Sequence, residues 1–143
     1  MTSIRCRGVS GFTLMELLIT LSIIAILILA ALSSYQPFVL ETKRVDAMDA
    51  LQDLAARQER YFSLNAAYTA DESELGFVAD GAQASAMGYY QVRVGAADAL
   101  SYMLEATPVG DQAEDTVTGF RLDSSGLKRQ RDTLGVWTDG WGE

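Results

Sequence analysis

The residues with the clearest chemical potential lie near the start of the chain, where a small-residue site precedes a long apolar stretch. Gly11 and Phe12 share a peptide bond, and a single acid, Glu16, stands four residues after Phe12. Cleavage of that bond would create a new amine on Phe12. In a helix this amine lies on the same face as the Glu16 carboxylate, since residues i and i+4 are neighbours. The spacing therefore predicts an amine–carboxylate pair, within one chain or between adjacent copies.

Glu16 is conspicuous because it is the only charged residue in a segment long enough to cross a membrane. Residues 12–32 are otherwise uncharged, and a helix needs roughly 20 apolar residues to span a bilayer core. A charged side chain at the middle of such a helix costs about 2.5 to 3.5 kcal/mol on insertion scales. We therefore expect Glu16 to have a partner. The alternative is that it lies at the headgroup level and reaches water.

The flank of the apolar segment predicts that the segment is kept. An ordinary secretory signal is cut after its apolar stretch, whereas the site at Gly11 comes before it. The removed leader, residues 1–11, would carry Arg5 and Arg7, in agreement with the preference for basic residues on the cytoplasmic side of a membrane. Residues 12–36 are thus interpreted as an anchor that belongs to the mature protein.

The composition excludes several kinds of catalytic and metal site. The chain has no histidine, and its one cysteine, Cys6, lies in the leader, so thiol–histidine catalysis and His/Cys metal sites lack their residues. The formal net charge is −8, and it would become −10 without the two leader arginines. Such an acidic chain repels the phosphate backbone, which makes nucleic-acid binding an unfavoured interpretation. We expect no enzyme, no cofactor and no metal site.

Residues 11–18, Gly-Phe-Thr-Leu-Met-Glu-Leu-Leu, resemble the class III signal of type IV prepilins. The resemblance implies that a dedicated membrane peptidase cuts after Gly11 and methylates the amine of Phe12. It also implies that Glu16 of an incoming subunit pairs with the Phe12 amine of an assembled one. The implied partners are other pilins, the prepilin peptidase/methylase and the inner-membrane assembly machinery. The implied location is the inner membrane, as a single-pass protein, and then the extracellular pilus.

An amphipathic segment, residues 37–64, follows the apolar one and extends the same helix from Phe12 to about Leu64. Its apolar residues recur at spacings of three and four, which predicts a stripe that packs on something. The predicted stripe contains Val45, Met48, Leu51, Leu54, Ala55, Tyr61 and Phe62, and the charged residues assigned to the other side are Glu41, Lys43, Asp46, Asp49, Asp53, Arg57 and Glu59. The apolar half of this helix is expected to project from the globular part.

Pro37 lies within this predicted helix and is expected to kink it, because proline removes one backbone hydrogen bond. Type IV pilins usually carry a proline where this chain has Ser33. The resemblance therefore implies that the bend is displaced by about one helical turn.

The remaining residues predict a loop followed by an antiparallel sheet. Residues 65–87 show no sustained period and read as a connecting loop with a helical turn at 71–75. The rest, residues 88–143, is predicted to form the sheet and a C-terminal loop. Alternating side chains predict four strands, with turns at 95–98 and 124–126; the strands are 88–94, 100–107, 116–123 and 127–132. The predicted fold class is α+β, with the long helix packed on a four-stranded antiparallel sheet.

The globular half is similar to minor pilins of the PilE-like kind, which implies a type IV pilin fold. The likeness rests on Tyr61-Phe62, Tyr68-Thr69-Ala70, Gly88-Tyr89-Tyr90, Ala106-Thr107-Pro108, Gly110-Asp111-Gln112, Asp115 and Leu122-Asp123-Ser124-Ser125-Gly126. It implies a minor structural subunit of a type IV pilus. The alternatives are a pseudopilin of type II secretion and an adhesive or DNA-binding head displayed on a pilus.

Pilins of this kind often have one cysteine near the position of Thr118 and another just before the terminal tryptophan, where this chain has Gly140 before Trp141. Both cysteines are absent here. We therefore expect Trp137 and Trp141 to anchor the C-terminal loop by packing, since tryptophan buries a large apolar area. The alternative is a frayed tail.

Two weaker charge clusters complete the sequence analysis. Lys128, Arg129 and Arg131 form the one basic run on the head, and they either hold DNA phosphates or an acidic partner or guard a sheet edge. Asp111, Glu114 and Asp115 form an acidic cluster that could hold Ca²⁺ through oxygen ligands. The cluster lacks the spacing of a calcium loop, so a solvated turn is the favoured interpretation.

Overall fold

A computed structural model describes residues 11–77 and 83–142 of the chain, with backbone only at residues 32–34. Most of the predicted leader, residues 1–10, and part of the predicted loop, residues 78–82, lie outside the described residues. Helix α1 spans Leu14–Asn65. The chain divides into two compact units, Met1–Gln36 and Pro37–Glu143. The first holds the apolar part of α1, and the second holds the rest of α1 with the sheet.

Helix α1 begins at Leu14 because Thr13 caps it. The Thr13 hydroxyl accepts a hydrogen bond from the backbone N–H of Glu16 at 3.2 Å, and its carbonyl accepts one from Leu17 at 3.2 Å. A threonine followed three residues later by a glutamate is the sequence of a capping box, in which the threonine satisfies a free N–H at the helix start. The predicted start at Phe12 was two residues early because this cap was not recognised.

The second unit contains a six-stranded antiparallel sheet whose strands neighbour each other in chain order. The four predicted strands correspond to the central ones, and the prediction of four was wrong because the two edge strands are only two and three residues long. Segments this short show no alternation. The strands are β1 Gln83–Ala84, β2 Tyr90–Ala97, β3 Tyr102–Pro108, β4 Val117–Asp123, β5 Lys128–Asp132 and β6 Trp137–Asp139.

The predicted turn at 95–98 was also wrong, because β2 continues to Ala97 with an irregularity in register between Val94 and Ala96. The turn lies beyond it, where Asp98 Oδ1 accepts hydrogen bonds from the N–H groups of Leu100 and Ser101, both at 2.8 Å. Aspartate favours turns because its side chain can take these local donors. Gly95 serves a different purpose, since an added Cβ would approach Glu105 Cγ to 3.0 Å.

The core lies between the second half of α1 and the inner face of the sheet. Leu51 and Leu54 of the predicted stripe are fully buried and share a cluster with Tyr90, Leu104 and Phe120. The rings of Tyr90 and Phe120 meet edge to face with centroids 5.8 Å apart, an arrangement that adds about 0.5 to 1.5 kcal/mol beyond the buried area. This part of the predicted stripe is confirmed.

Two residues of the helix lie on the opposite side from the one predicted. Val45, assigned to the stripe, is 53% exposed, and Asp46, assigned to the charged side, is buried. The Asp46 carboxylate accepts hydrogen bonds from the Ser85 hydroxyl and from the N–H groups of Met87 and Tyr89. A buried carboxylate is tolerated only with such partners. They come from a segment some forty residues further along the chain, which the periodicity of the helix cannot reveal.

The loop after α1 is tied back to the helix by Gln58, which is fully buried. Its amide donates to the Thr69 carbonyl at 2.7 Å and accepts from the Thr69 N–H at 3.2 Å. The predicted helical turn at 71–75 is present as a short 3₁₀ helix, Glu72–Leu75. A second 3₁₀ helix, Gly110–Glu114, connects β3 to β4.

The C-terminal segment is held by strand β6 and by Trp141. The Trp141 indole N–H donates to the carbonyls of Arg121 at 3.1 Å and Arg129 at 3.2 Å, and its ring packs edge to face on Phe120. The Thr118 hydroxyl donates to the Asp132 carbonyl at 2.8 Å and ties β4 to β5. The contacts agree with the expectation that Trp141 anchors the segment, whereas Trp137, the other expected anchor, is only half-buried.

Candidate functional site

The first candidate site is the start of α1. The described side chains of residues 11–31 are exposed, and α1 contains a stretch long and apolar enough to cross a membrane. The hydroxyls of Thr20 and Ser22 donate hydrogen bonds to backbone carbonyls of their own helix, at 2.9 and 2.8 Å. Within the described residues, the Glu16 carboxylate has no such partner. The helix thus presents one unpaired acid, in its first turn, on an otherwise apolar surface.

Pro37 lies inside α1, as predicted from the sequence. It has no N–H to donate to the carbonyl of residue 33, so one bond of the helical ladder is missing there. Residue 37 is also the first residue of the second unit. The kink itself stays a prediction.

The predicted acidic cluster does not form a common site. Asp115 is buried, and its carboxylate receives two hydrogen bonds from the Arg44 guanidinium, at 2.8 and 2.6 Å, and one from Gln112 at 3.0 Å. The interpretation as a solvated turn is wrong for Asp115, although Asp111 and Glu114 are exposed. Over residues 11–77 and 83–142, no three Asp, Glu, His or Cys side chains are placed to hold a metal ion.

The pair between Arg44 and Asp115 joins α1 to the connection between β3 and β4. Burial by itself would raise the pKa of the Asp115 carboxyl, but the hydrogen bonds and charge of Arg44 outweigh it and hold that pKa below its ordinary value. The Gln112 amide nitrogen also lies 2.9 Å from the Tyr90 hydroxyl and from the Leu40 carbonyl, so its two hydrogens are shared among three acceptors. This polar network fixes the helix on the sheet.

Acid is expected to destabilise the head through Asp115. Because the folded-state pKa of this carboxyl is lower than that of the unfolded chain, its contribution is fully present above about pH 4 to 5 and is lost as pH falls further, through the folded-state value. Thermal unfolding of the mature protein in nonionic detergent between neutral and acid pH measures this. The double variant Arg44→Met, Asp115→Leu should lose less stability over that range, and an equal loss would contradict the assignment.

The second candidate site is the outer face of the sheet, the side turned away from α1. Strand register places Arg93, Glu105, Arg121, Arg129 and Asp139 in one row across β2 to β6. One Glu105 oxygen accepts from Arg93 at 2.6 Å, and the other accepts from Arg121 at 2.7 Å. Burial raises the pKa of the Glu105 carboxyl, but the two arginines lower it by more than burial raises it. The net shift of this pKa is therefore downward.

Trp137 lies beside this row and is contacted by two guanidinium groups. The Arg121 guanidinium carbon lies 3.9 Å from the ring centroid and that of Arg131 lies 5.3 Å from it. At Gly119 an added Cβ would lie in ordinary contact with the ring, at 3.6 Å, but tightly against the Ala106 carbonyl, at 3.3 Å. Guanidinium–indole contacts of this kind are worth about 0.5 to 1 kcal/mol at exposed sites. The tryptophan therefore holds the guanidinium groups of Arg121 and Arg131 against its ring.

The predicted basic run does not form one patch. Arg129 pairs in register with Arg121 on the outer face, whereas Lys128 pairs with the buried Leu122 and lies on the opposite side of the strand. Its ammonium lies 4.7 Å from the Trp141 ring centroid. Arg131 donates to the carbonyl and hydroxyl of Thr118. The outer face instead gains Arg93 and Arg121, which come from strands distant in sequence and which the sequence analysis did not single out.

Models of two protein families match this chain. The model of the prokaryotic N-terminal methylation motif matches residues 6–32, and the model of the type IV minor pilin ComP, DNA uptake sequence receptor, matches residues 33–119. Fimbrial protein Q of Moraxella bovis is 30% identical over 136 residues, which cover 90% of this chain and 83% of that protein. The chain belongs to the type IV minor pilins.

Membership of this family agrees with the resemblances seen in the sequence and makes the chain a minor structural subunit of a type IV pilus. The methylation-motif match covers most of the apolar part of α1, and the minor-pilin match lies in the second unit except for its first four residues; the second unit is called the head. Of the outer-face row, Arg93 and Glu105 fall within the matched residues 33–119, whereas Arg121, Arg129 and Asp139 fall beyond them. Three of the five residues of this row therefore lie outside the region that the minor-pilin model matches.

Proposed function

We propose that this minor pilin is cut after Gly11, methylated on the amine of Phe12 and assembled through an intermolecular pair between that amine and Glu16. The observation that carries the proposal is the unpaired Glu16 carboxylate on an exposed apolar helix. Gly11 supports it as well, since an added Cβ there would meet no atom of the described residues within 4 Å. Packing among these residues therefore does not require a glycine at this position, and recognition by a peptidase would account for it.

Before assembly, the pilin would lie in the inner membrane as a single-pass protein, with residues 12–36 as its span. The prepilin peptidase/methylase and the inner-membrane pilus assembly machinery would act on it there, and other pilins would surround it in the extracellular fibre. Mass spectrometry of the N-terminus, on protein from sheared surface filaments, tests these steps together. A chain that begins with methylated Phe12 is expected. A chain that retains residues 1–11, or that lacks the apolar helix, would overturn the proposal.

The type II secretion alternative shares the same anchor, so the helix does not decide between the two. Both the minor-pilin model and the Moraxella bovis relative are pilus proteins by name, which favours the pilus. Affinity purification from detergent-solubilised membranes is expected to recover pilus subunits. Recovery of secretion-system subunits alone would favour the alternative.

A second candidate function is binding of duplex DNA by the outer face of the head. Four arginines, Arg93, Arg121, Arg129 and Arg131, lie on this face, against Glu105, Asp123 and Asp139. It is thus positive by one charge in a chain whose formal net charge is −8. Guanidinium groups suit phosphate oxygens because their donors form a planar fork. The likeness to a DNA uptake sequence receptor supports this candidate.

Replacing Arg129 with Gln is expected to weaken duplex binding about threefold to tenfold at low salt and to reduce the salt dependence by about one phosphate contact. Arg129 is suitable because it is 45% exposed and its single ion-pair partner in the described structure is Asp139. Fluorescence anisotropy with the mature protein in nonionic detergent measures both quantities. Arg60→Gln on the helix is the matched control, and an equal loss in that variant would point to non-specific attraction.

A further inference from the structure

We propose that Glu105 is an internal competitor for phosphate, which occupies the space between Arg93 and Arg121 and thereby limits the affinity of the outer face for DNA. The inference rests on the second candidate function and adds a regulatory element to it. It predicts that removal of one acidic charge at this position strengthens DNA binding more than removal of the same charge elsewhere.

The geometry of Glu105 carries the proposal. One carboxylate oxygen takes both donors of Arg93, from Nε at 3.2 Å and from a terminal nitrogen at 2.6 Å. The other oxygen takes Arg121 Nε at 2.7 Å and forms the ion pair with its terminal nitrogen. Two arginines bind a phosphate group in a similar way, because each guanidinium group donates to one of two oxygens on the same central atom. The strands therefore hold the two forks at a separation that suits a small anion with two oxygens.

The position of Glu105 is accessible to such an anion. The row lies on the exposed face, and the side chains of Arg93 and Arg121 are 55% and 28% exposed. Glu105 itself is 13% exposed because the two arginines cover it from either side. A phosphate arriving from solvent would meet the arginines before it met the carboxylate. Binding would then require the arginines to turn from Glu105, and that exchange costs affinity.

The other acids of this face act differently. One oxygen of the Asp123 carboxylate accepts from the N–H groups of Ser125 and Leu127 in its own turn. Asp123 attracts Arg129 electrostatically, but no hydrogen bond or ion pair joins it to an arginine among the described residues. Asp139 holds Arg129 through one contact at 3.2 Å. It is a weaker competitor because it engages one guanidinium instead of two.

Binding of a short fluorescent DNA duplex to the mature protein in nonionic detergent tests the proposal, with wild type, Glu105→Gln and Glu114→Gln compared over a range of salt concentrations. Glu105→Gln keeps the side-chain shape and one acceptor oxygen but loses the charge. We expect its affinity at low salt to exceed that of wild type by about threefold to tenfold, with a steeper salt dependence by about one phosphate contact. Glu114 is exposed in the second 3₁₀ helix, and Glu114→Gln should change affinity less than twofold by the general charge effect alone.

The outcomes separate the two proposals. If wild type binds DNA and Glu105→Gln binds it with the same affinity, or with a change as small as that of Glu114→Gln, the competitor role is wrong. The proposal of DNA binding would then still stand. Weaker binding by Glu105→Gln would show that the carboxylate orients the arginines for DNA, which also overturns it. Absence of binding by wild type and by both variants would overturn both proposals. A gain that disappears in the double variant Arg121→Gln, Glu105→Gln would support the competition at this position.

Discussion

Replacing Glu16 with Gln should reduce incorporation of this pilin into surface filaments about 10- to 100-fold, while cleavage after Gly11 proceeds normally. The physical reason is the environment of a filament core, where an unpaired amine on Phe12 would have neither water nor a counter-charge. Glutamine keeps the size and hydrogen-bonding capacity of Glu16, so the variant removes the charge alone. A factor of ten corresponds to about 1.4 kcal/mol, which is less than the cost of a buried unpaired charge.

The measurement is the ratio of this pilin in sheared filaments to that in membranes, by immunoblot. Glu41→Gln is the control, because Glu41 is an exposed acid on the same helix within the second unit. If Glu16→Gln is incorporated as well as wild type, Glu16 reaches water at the headgroup level and the proposed intermolecular pair is wrong. If the variant is instead retained with its leader, the residue acts in recognition by the peptidase.

Replacing Asp115 with Ala should destabilise the head by about 3 to 5 kcal/mol, since it leaves the charge of Arg44 without its partner in a largely buried site. The Asp115 side chain is only 3% exposed, and that of Arg44 is 19% exposed. Gln112 would lose one acceptor at the same time. For a head of this size, the expected fall in melting temperature is more than about 10 °C.

Thermal unfolding followed by circular dichroism at neutral pH measures this effect, with two comparison variants. Asp53→Ala breaks the exposed pair with Arg57 and should cost no more than about 0.5 kcal/mol. Arg44→Met with Asp115→Leu removes both charges together and should recover most of the loss. If Asp115→Ala melts within a few degrees of wild type, the pair is not what fixes the helix on the sheet.

Local features of this pilin were predictable from sequence, whereas features that depend on strand register were not. Gly11, Phe12 and Glu16 stand within six residues of one another, so their proximity needs no strand register, although Phe12 precedes α1, which begins at Leu14. The central strands are long enough to alternate visibly, but β1 and β6 are not. The burial of Asp46 and Gln58 could not be predicted from the sequence. Their hydrogen-bond partners, Ser85 and Thr69, come from loops.

The outer-face row shows the same limit most clearly. Arg93, Glu105, Arg121, Arg129 and Asp139 come from five strands, and a shift of one residue in any pairing would turn that strand's member to the other face. The basic run on β5 is visible in the sequence because it is contiguous. Lys128 does not belong with Arg129 and Arg131, because alternate residues of a strand point to opposite faces. That alternation is readable from the sequence alone.

The way in which β6 and Trp141 hold the end of the chain on the sheet has a consequence for the folding of this subunit. Its last strand is fastened by hydrogen bonds and an indole ring, and the chain has one cysteine, so no sulfur–sulfur bond can form within it. Folding of the head therefore needs no thiol-oxidising catalyst outside the membrane. Cells that lose such a catalyst should therefore supply this subunit at an unchanged level.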